Sequence, residues 1–565
     1  MRGVGSAALR VVDFGPTRAW FKPGSEAGVK LAVDSPGGAV DVRLALFDGS
    51  RVVTANEARL RLPAGRSIRQ FRLRVPEVQR HGYGLHLQLE GRSGRAEAHS
   101  ALEALQGWWE SPRHAALTDF QRGSAVVPTL KRLRRWHVTV AQFYDWMYRH
   151  YRYMPPPREE DFADTLGRLV SHGVVKELVR QCRRNGIASL AYGSVYGAER
   201  EYVEGHPDEL LRDAAGQPLS LGGTFFITDL RSQSPWRRRL IGEYARACRR
   251  FGFDGIHMDQ YGEPHEGFAA DGSVVKLQEL FAGLIDEAAD HLAKLSPPRR
   301  VLFNCVGGWP LEHVGRARSA ATYIEIWPPD TTYSAITRQI DIARRVAPTK
   351  QVIVAAYPSV LAADGDGGRP AGNALEAALL LTTVVLATGA YHHVLAEHDR
   401  VLVGGYYPDA VSLPSRAAES MRLAWQFSAR YVHLLSDTRN VPVPIDQLVI
   451  EMDGRVLPVS SEPQAGAVWV RGTRTGDNEI AIQLVDLLGQ VSDEWDAPRK
   501  AAVRRENWRV SWRDGSQRPS LFASPWSYGG AMQQLSPGRV IPIPAFERWA
   551  MLITDDWPRS VGPTA

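Results

Sequence analysis

Two carboxylates at the ends of β-type runs are the residues of this chain best suited to do chemistry. Asp259 lies near the end of the run 252–261, and Glu325 lies in the run 323–327. Two such carboxylates on neighbouring strands of a parallel barrel can cleave a glycosidic bond, one as nucleophile and the other as proton donor to the leaving oxygen. The alternative for each is structural, a buried ion pair with an arginine or a hydrogen bond to a loop amide. Asp254, at the start of the first run, is predicted to have such a structural role, whereas the in-phase pair favours an enzyme.

The alternation of side chains along a strand places further residues beside each carboxylate. Side chains two positions apart point to the same face, so His257 is in phase with Asp259, and Tyr323 and Trp327 are in phase with Glu325. Burying a carboxylate on the inner face of a barrel strand costs free energy unless something compensates for it. Catalytic residues at the carboxyl-terminal mouth of the barrel are the usual reason for such a carboxylate.

Aromatic and polar side chains are predicted at the same strand ends and in the loops that follow them. Sugar rings present C–H faces that stack on aromatic rings, whereas their hydroxyl groups need polar partners. The predicted substrate-binding residues are Tyr144, Asp145, Trp146, Tyr192, His257, Tyr261, Asn304, Trp309, Trp327, Tyr391 and His392. For any single ring, packing in the apolar core is the competing explanation. Their clustering at strand ends favours a cleft that binds a carbohydrate.

The residue pattern divides the chain into three predicted domains. Residues 1–106 alternate apolar and polar side chains between turn signals, which is typical of an immunoglobulin-like β-sandwich. Residues 107–435 change to alternating strands and helices, and residues 436–565 return to short strands, which predicts a second β-sandwich. A division of this kind is expected, because 565 residues are too many for one hydrophobic core.

The central region is predicted to be a (β/α)8 TIM barrel rather than a doubly wound sheet, because eight strand candidates are present. These candidates end near Trp146, Tyr192, Asp229, Asp259, Cys305, Trp327, Ala356 and His392. The third consists of residues 225–229, which could instead form a strand within a loop. Helices are predicted over 234–250 and 277–295, the first from its N-cap serine, first-turn proline and closing glycine. Residues 107–113 are predicted to be a linker.

Composition and charge exclude several other classes of function. The formal net charge is +6, but the basic residues are scattered rather than clustered, so nucleic-acid binding is not predicted. The three cysteines, Cys182, Cys248 and Cys305, have no metal-ligand spacing and are predicted to be reduced core residues. We therefore expect no metal and no cofactor.

No membrane segment is expected in this sequence. The chain has no run of 18 apolar residues and no apolar signal core near its start. These observations predict a cytoplasmic protein, or a secreted one if a leader has been removed. The sequence does not indicate an oligomeric state.

The order of four motifs resembles that in glycoside hydrolase family 66. The motifs are Gln-Phe-Tyr-Asp-Trp-Met-Tyr (142–148), Phe-Asp-Gly-Ile-His-Met-Asp (253–259), Tyr-Ile-Glu-Ile-Trp (323–327) and Gly-Ala-Tyr-His-His (389–393), and the likeness includes 108–113. That family holds endo-dextranases and cycloisomaltooligosaccharide glucanotransferases. The resemblance implies the three-domain architecture given above and retaining hydrolysis of α-1,6-glucosidic bonds in dextran or isomalto-oligosaccharides. By motif match, it places Asp259 as the nucleophile and Glu325 as the acid/base.

Two other functions remain open at this stage. The glucanotransferases of the family carry a carbohydrate-binding module inserted in the catalytic domain, and this chain has no room for one, which favours a hydrolase. An α-1,6-glucan transglycosylase of the same fold, cyclising or linear, is the first alternative. The second is a non-catalytic glycan-binding protein in which the two β domains bind the carbohydrate.

Overall fold

The protein is multidomain and consists mostly of β-strands. The computed structural model describes residues 8–157, 159–362, 371–515 and 521–554, which include ten α-helices. Within these ranges, no helix is both long enough and apolar enough to cross a bilayer. Cys182, Cys248 and Cys305 are buried and free, as predicted.

The N-terminal region forms one five-stranded antiparallel sheet, two of whose strands are much longer than expected. Its strands are β1 (Arg10–Pro16), β2 (Glu26–Asp48), β3 (Arg51–Arg74), β4 (His81–Gly91) and β5 (Gly94–Ala104). β3 pairs with β2 along its length, while β1 and β4 pair with different halves of β2. Between these halves, Gly37 and Gly38 have φ angles of 97° and 122°, which glycine adopts without strain. The buried positions of β2 change there from odd to even residue numbers, so both halves contribute to one apolar core.

The central region alternates strands with helices around one large sheet. In chain order, its strands are β6 (His114–Leu117), β7 (Val140–Phe143), β8 (Asp161–Ala163), β9 (Leu169–Ser171), β10 (Ala188–Ser194), β11 (Gly197–Ala198), β12 (Ser220–Leu221), β13 (Phe225–Ile227), β14 (Gly255–Asp259), β15 (Glu266–Phe268), β16 (Val274–Lys276), β17 (Arg300–Val306), β18 (Ser319–Glu325), β19 (Val352–Ala355), β20 (Tyr391–His392), β21 (Leu395–Ala396), β22 (Arg400–Val401) and β23 (Val411–Ser412). The large sheet has the order β20-β19-β18-β17-β14-β10-β7-β6-β21-β22-β23.

This large sheet curls back on itself. Its pairs from β6 to β20 are all parallel. The short segment 391–396 pairs with β19 through β20 and with β6 through β21, again in parallel. The sheet is therefore compatible with a barrel, and its parallel strands all end at the same edge.

The helices follow the strands as the sequence pattern predicts. They are α1 (Val126–Arg135), α2 (His172–Asn185), α3 (Arg200–Gly205), α4 (Pro235–Phe251), α5 (Leu277–Ala293), α6 (Leu311–Val314), α7 (Tyr333–Val346), α8 (Gly372–Ala387), α9 (Ser415–Arg430) and α10 (Val432–Leu435). The predictions of helices over 234–250 and 277–295 are confirmed within two residues by α4 and α5. α4 begins with a proline at its first position and ends at Gly252, which has a φ of 81°.

The prediction that residues 225–229 form the third strand of the barrel is wrong. β13, within the run 225–229, pairs antiparallel with β11 and β12 in a small separate sheet and not with the large one. β6 instead completes the large sheet, immediately after the predicted linker 107–113. β6 contains only four residues, His-Ala-Ala-Leu, all of them buried. A run that is short and poor in β-branched residues gives little strand signal in sequence.

The C-terminal region forms two sheets that share one apolar core. Its strands are β24 (Val441–Val443), β25 (Leu448–Met452), β26 (Arg455–Val456), β27 (Val459–Ser460), β28 (Val468–Arg474), β29 (Ile480–Asp486), β30 (Trp508–Trp512), β31 (Leu521–Ala523), β32 (Gln533–Gln534), β33 (Val540–Pro542) and β34 (Trp549–Thr554). One sheet contains β25, β26, β30 and β33, and the other contains the remaining strands. Ile450 and Val510 of the first sheet lie in the same buried cluster as Ile482 and Leu484 of the second.

Candidate active site

Asp259 and Glu325 meet at the carboxyl edge of the curled sheet. Asp259 is the last residue of β14 and Glu325 is the last residue of β18, and β17 lies between these two strands. From β17, the Asn304 Nδ2 donates hydrogen bonds to Asp259 Oδ1 at 2.8 Å and to Glu325 Oε2 at 2.9 Å. Because one nitrogen bridges the two acceptors, these oxygens can be at most about 5.7 Å apart.

Each carboxylate also accepts a hydrogen bond from a tyrosine. Tyr192, on β10, donates to Asp259 Oδ2 at 2.9 Å, and Tyr357, just after β19, donates to Glu325 Oε1 at 2.7 Å. Glu325 is buried, whereas Asp259 is partly exposed. The contacts around the pair are thus hydrogen bonds from neutral groups, and the charges that act on Asp259 are those of Glu325 and Asp145. The alternative of a buried ion pair with arginine does not describe this arrangement.

Burial and mutual repulsion change the proton affinity of the pair. Burial, with the nearby Glu325 charge, raises the pKa of Asp259 to about 7, although Asn304 and Tyr192 oppose the change. Burial also raises the pKa of Glu325, against the hydrogen bonds from Asn304 and Tyr357. Two acids this close cannot both ionise easily, so near neutral pH the pair holds one proton between them. An ionised carboxylate beside a protonated one can supply a nucleophile and a general acid together.

An aromatic wall lies beside the two carboxylates. The Tyr144 ring packs on the rings of Tyr192 and Tyr407, with centroids 5.2 Å and 4.5 Å apart. The Tyr144 hydroxyl donates to the carbonyl oxygen of Gly405 at 3.3 Å. A side chain at Gly405 would have its Cβ 3.3 Å from the Trp327 ring and 3.7 Å from Glu325 Oε1, so glycine permits this close approach.

The family model of glycosyl hydrolase family 66 matches residues 16–552 of this chain, nearly all of its length. The chain belongs to glycosyl hydrolase family 66. Two curated relatives, both cycloisomaltooligosaccharide glucanotransferases of Niallia circulans, are 22% identical over 377 residues and 21% identical over 365 residues. The matches include 62% and 60% of this chain, but it spans only 38% of the length of each relative.

A solved structure supports the same fold. The crystal structure of a Paenibacillus sp. cycloisomaltooligosaccharide glucanotransferase, complexed with cycloisomaltoheptaose, superposes with a TM-score of 0.87. The superposition includes 96% of this chain and 100% of the other, at 17% sequence identity. The recognition of family 66 from the four motifs is therefore confirmed.

Several other predicted residues of this family 66 chain lie near the carboxylates. The Tyr261 hydroxyl is 2.8 Å from Ser194 Oγ, at the end of the strand that carries Tyr192. The Asp145 charge raises the pKa of Asp259, and its carboxylate forms an ion pair with Arg168 at 3.2 Å. These contacts place Tyr261 and Asp145 beside Tyr192 and Asp259, on the same edge of the sheet.

Trp327 and Trp309 occupy different parts of this edge. Trp327 packs against the Tyr357 ring, with centroids 5.8 Å apart, and remains partly exposed. Trp309 stacks on His265, with centroids 4.2 Å apart, and its indole nitrogen donates to Gln278 at 3.2 Å. Trp309 therefore lies in the loop after β17, where a substrate could contact it only outside the carboxylate pair.

Three predicted substrate-binding residues lie elsewhere, and we remove them from the candidate site. Trp146 is fully buried, and its indole nitrogen donates to the Tyr192 carbonyl oxygen at 3.1 Å. The Tyr391 hydroxyl lies 2.7 Å from Ser436 Oγ, just after α10. His392 binds Thr382 of α8 at 3.0 Å and a backbone carbonyl at 2.9 Å. Proximity to a strand end does not separate the inner face of a strand from the face that packs under the helices, where Trp146 and His392 lie. Tyr391 belongs to the inner apolar cluster with Tyr323, but its hydroxyl is directed to Ser436.

His257 lies inside the sheet and not at its edge. Its ring meets the Tyr323 ring edge-on, with centroids 4.8 Å apart, and the residue is only 1% exposed. Burial lowers the pKa of His257 well below its usual value, so the ring is neutral. The alternation argument placed His257 on the correct face but one layer below a position that a substrate could contact.

The sequence argument missed two tyrosines and one loop. Tyr357 donates to Glu325, and Tyr407 lies behind Tyr357 with their oxygens 3.0 Å apart. Tyr357 directly follows a predicted strand end at Ala356, and Tyr407 belongs to the Gly-Gly-Tyr-Tyr run 404–407. An aromatic residue just after a strand, and paired aromatic residues after two glycines, are signals that could have identified both.

Possible metal ligands occur away from the carboxylate pair. In the described residues, the groups whose donor atoms lie close together are Asp48, His81 and His433, and His86, Glu97 and His99. The His81 and His433 rings stack with their centroids 3.7 Å apart and an interplanar angle of 13°. Two stacked imidazoles cannot point their in-plane lone pairs at one ion, so this geometry does not fit a metal without rotation of a ring.

Proposed function

We propose that this protein cleaves α-1,6-glucosidic bonds of dextran or isomalto-oligosaccharides with net retention of configuration. Membership of family 66 and the α-1,6-linked cyclic oligosaccharides in the names of its relatives support the linkage. The observation that carries the mechanism is the Asn304 amide, which donates to Asp259 and Glu325 together. Retaining enzymes place their carboxyl groups about 5–5.5 Å apart, and inverting enzymes about 6.5–9.5 Å apart. The limit of about 5.7 Å between the bridged oxygens supports retention.

In the first step, the Asp259 carboxylate attacks the anomeric carbon while protonated Glu325 donates to the glycosidic oxygen. The bond between that carbon and the leaving sugar breaks as the ester to Asp259 forms. In the second step, ionised Glu325 takes a proton from the incoming hydroxyl group, whose oxygen displaces Asp259. Two inversions give net retention, and Glu325 ends protonated again.

The acceptor in the second step decides between hydrolysis and transfer. We propose water as the main acceptor, on the sequence expectation that this chain lacks the inserted module of the family's glucanotransferases. The second candidate is transfer to a sugar hydroxyl, which the glucanotransferase names of both curated relatives favour. Both outcomes use the same covalent intermediate, so product analysis is needed to separate them.

The architecture that supports this chemistry is also a proposal. We infer a (β/α)8 barrel over residues 107–435, an immunoglobulin-like sandwich over 1–106 and a second sandwich over 436–565. The parallel closure of the large sheet through segment 391–396 supports the barrel. Limited proteolysis that cuts near residues 106 and 435 and yields a stable central fragment would agree with these boundaries.

The test of the function is incubation with dextran, isomaltose, pullulan and starch, followed by sizing of the products. We expect shorter isomalto-oligosaccharides from dextran, and α-anomeric reducing ends in the first NMR spectra. Asp259→Gly and Glu325→Gln should each lose at least about 10³-fold in turnover. Glu279→Gln, an exposed change on α5, is the control for the substitution itself.

Three results would contradict the proposal. Attack on starch but not dextran would remove the linkage assignment. β-Anomeric first products would mean inversion. Binding of isomalto-oligosaccharides without any turnover would favour the non-catalytic alternative.

A further inference from the structure

A chain of hydroxyl groups runs from Glu325 into the interior of the sheet. Tyr357 donates to Glu325 Oε1 at 2.7 Å, and its oxygen is 3.0 Å from that of Tyr407. The Tyr407 oxygen is 3.2 Å from that of Tyr323, which is 2.7 Å from Nδ1 of His393. Four separate segments of the chain supply these residues, so the fold, and not local sequence, assembles them.

Each of these residues is buried. Tyr323 and His393 are 0% exposed, and Tyr357 and Tyr407 are 3% and 4% exposed. A buried hydroxyl without a partner costs free energy, and phenylalanine in its place would fill nearly the same volume at lower cost. Three tyrosines joined end to end and leading to one carboxylate therefore indicate a role that phenylalanine could not perform.

The proton positions in the chain follow from its two ends. Burial lowers the pKa of His393 well below its usual value, so its ring is neutral and carries one N–H. With that hydrogen on Nδ1, His393 donates to Tyr323, and each tyrosine then donates to the next until Tyr357 donates to Glu325. The Nε2 atom of His393 then needs only to accept, and it has no partner among the described residues. All donors then point the same way, and hydrogen bonds in such a chain polarise one another.

We propose that Tyr357, Tyr407, Tyr323 and His393 are positioning residues that stabilise the ionised form of Glu325 by directing a continuous series of hydrogen bonds toward it. The inference rests on the proposed function, in which Glu325 must be ionised while it accepts a proton in the second step. Asp259 lacks such support, because its partners are Tyr192 and the shared Asn304. The two carboxylates thus differ in their donors, and the series acts in the second step, when Glu325 is ionised.

Other titratable groups lie next to this series of hydrogen bonds and affect the pKa of Glu325. Asp259 lies across Asn304 from Glu325, and its charge would raise the pKa of Glu325. His114 and His257 surround Tyr323, with ring centroids 6.0 Å and 4.8 Å from it. Burial lowers the pKa of both histidines, so they remain neutral across the pH range of interest. Glu325 and Asp259 are therefore the groups here that change charge near neutral pH.

The test measures ionisation of Glu325 directly, by the pH dependence of the infrared carbonyl band of its protonated carboxyl group. The band is identified as the one that Glu325→Gln removes. Tyr357→Phe removes one hydrogen bond from ionised Glu325. The pH at which half of the infrared band is lost, called here the infrared midpoint, should therefore rise by about one pH unit. Tyr407→Phe removes the hydrogen bond that Tyr357 accepts and so only weakens the donation of Tyr357 to Glu325, and a rise of about 0.3 of a pH unit is expected.

A matched control is Tyr431→Phe, which removes a 2.8 Å hydrogen bond from another buried tyrosine to the carbonyl oxygen of Gly530. This variant should leave the infrared midpoint unchanged. Melting temperatures of all variants show whether they fold, and Tyr407→Phe provides the test if Tyr357→Phe does not. A midpoint that stays unmoved, or that moves down, in a folded Tyr357→Phe or Tyr407→Phe protein would overturn the inference.

Activity separates this inference from the proposed function. In an active wild-type protein, the alkaline limb of kcat/KM should move to higher pH in Tyr357→Phe with the infrared midpoint. A wild-type protein that turns over none of the glucans refutes the proposed function, while the infrared midpoints still test the hydrogen-bonded series. An active enzyme whose midpoint is the same in both tyrosine variants refutes the series alone.

Discussion

Replacement of Asn304 with alanine tests whether one amide couples the two carboxylates. The change removes hydrogen bonds of 2.8 Å to Asp259 and 2.9 Å to Glu325. A hydrogen bond to a charged group is worth about 1.5–3 kcal/mol, and at each step of the proposed reaction one of the two carboxylates is ionised. We therefore expect kcat/KM to fall about 10- to 100-fold, since about 1.4 kcal/mol corresponds to a factor of ten.

The same change should alter stability in a pH-dependent way. Burial raises the pKa of both carboxyl groups. In the folded protein, Asp259 is therefore mostly ionised only above its pKa of about 7. Loss of the amide removes a donor from the Asp259 charge, which is present at pH 8 but largely neutralised at pH 5. Asn304→Ala should therefore lower the melting temperature more at pH 8 than at pH 5.

The chain offers a matched control at Asn440. Its Nδ2 also bridges two acceptors, the carbonyl oxygens of His433 and Leu434 at 3.3 Å and 3.0 Å. The Oδ1 atoms of Asn304 and Asn440 both lack a hydrogen-bond partner among the described residues. Asn440→Ala therefore removes the same kind of contact, but between uncharged groups.

The assays are kcat/KM on dextran between pH 4 and 9 and thermal melts at pH 5 and 8. The reasoning predicts a lower kcat/KM and a pH-dependent melting shift for Asn304→Ala. For Asn440→Ala it predicts a pH-independent shift with unchanged kinetics. Full activity in a folded Asn304→Ala protein would refute the view that the amide holds the pair, as would equal losses of melting temperature at the two pH values.

Further predictions concern single side chains of the same region. Tyr192→Phe removes the donor to Asp259 Oδ2, so the pKa of that carboxyl should rise and the acid limb of kcat/KM should move to higher pH by up to about one unit. Asp259→Asn should raise stability by about 2 kcal/mol at pH 8 but little at pH 4, because the cost of burying the Asp259 charge accumulates between the ordinary pKa of 3.8 and the folded pKa of about 7. Denaturant melts at the two pH values measure this difference, and equal effects would contradict it. Trp146→Ala should cost about 3–5 kcal/mol of stability because the ring is fully buried. Trp327→Ala should instead raise KM several-fold with a smaller change in melting temperature, and the opposite pattern would reverse these two assignments.

The catalytic candidates could be predicted from sequence because two simple rules agreed. Parallel strands end at one edge of a sheet, and side chains two apart share a face, so Asp259 and Glu325 were expected to meet. The same rules assigned a structural role to Asp254, which accepts from the backbone and hydroxyl of Ser189 and pairs with Arg299 at 3.1 Å. Both rules apply without the full order of the strands, provided that the two strands are near neighbours.

The wrong predictions concern features about which those two rules give no information. β6 was missed because its four residues lack a strand-forming pattern, and the run at 225–229 was overvalued because it is aromatic and apolar. Trp146 was assigned to the cleft because it follows a strand end, although its indole packs among buried aromatic rings under the helices. Local sequence predicts that a residue lies near a strand end, but only the packing of distant segments decides which way the side chain turns there.

The tyrosines behind Glu325 illustrate the same limit from the functional side. Tyr323, Tyr357 and Tyr407 are separated by 34 and 50 residues along the chain, and no local pattern connects them. Their hydroxyl groups acquire a common direction only because β18, the end of β19 and the loop 404–407 converge on one carboxylate. Asp259 and Glu325 have the same chemical group and a shared amide donor, so their identities as acids do not assign their roles. The partners that they do not share are Tyr192 for Asp259, and Trp327 with the buried series of donors for Glu325.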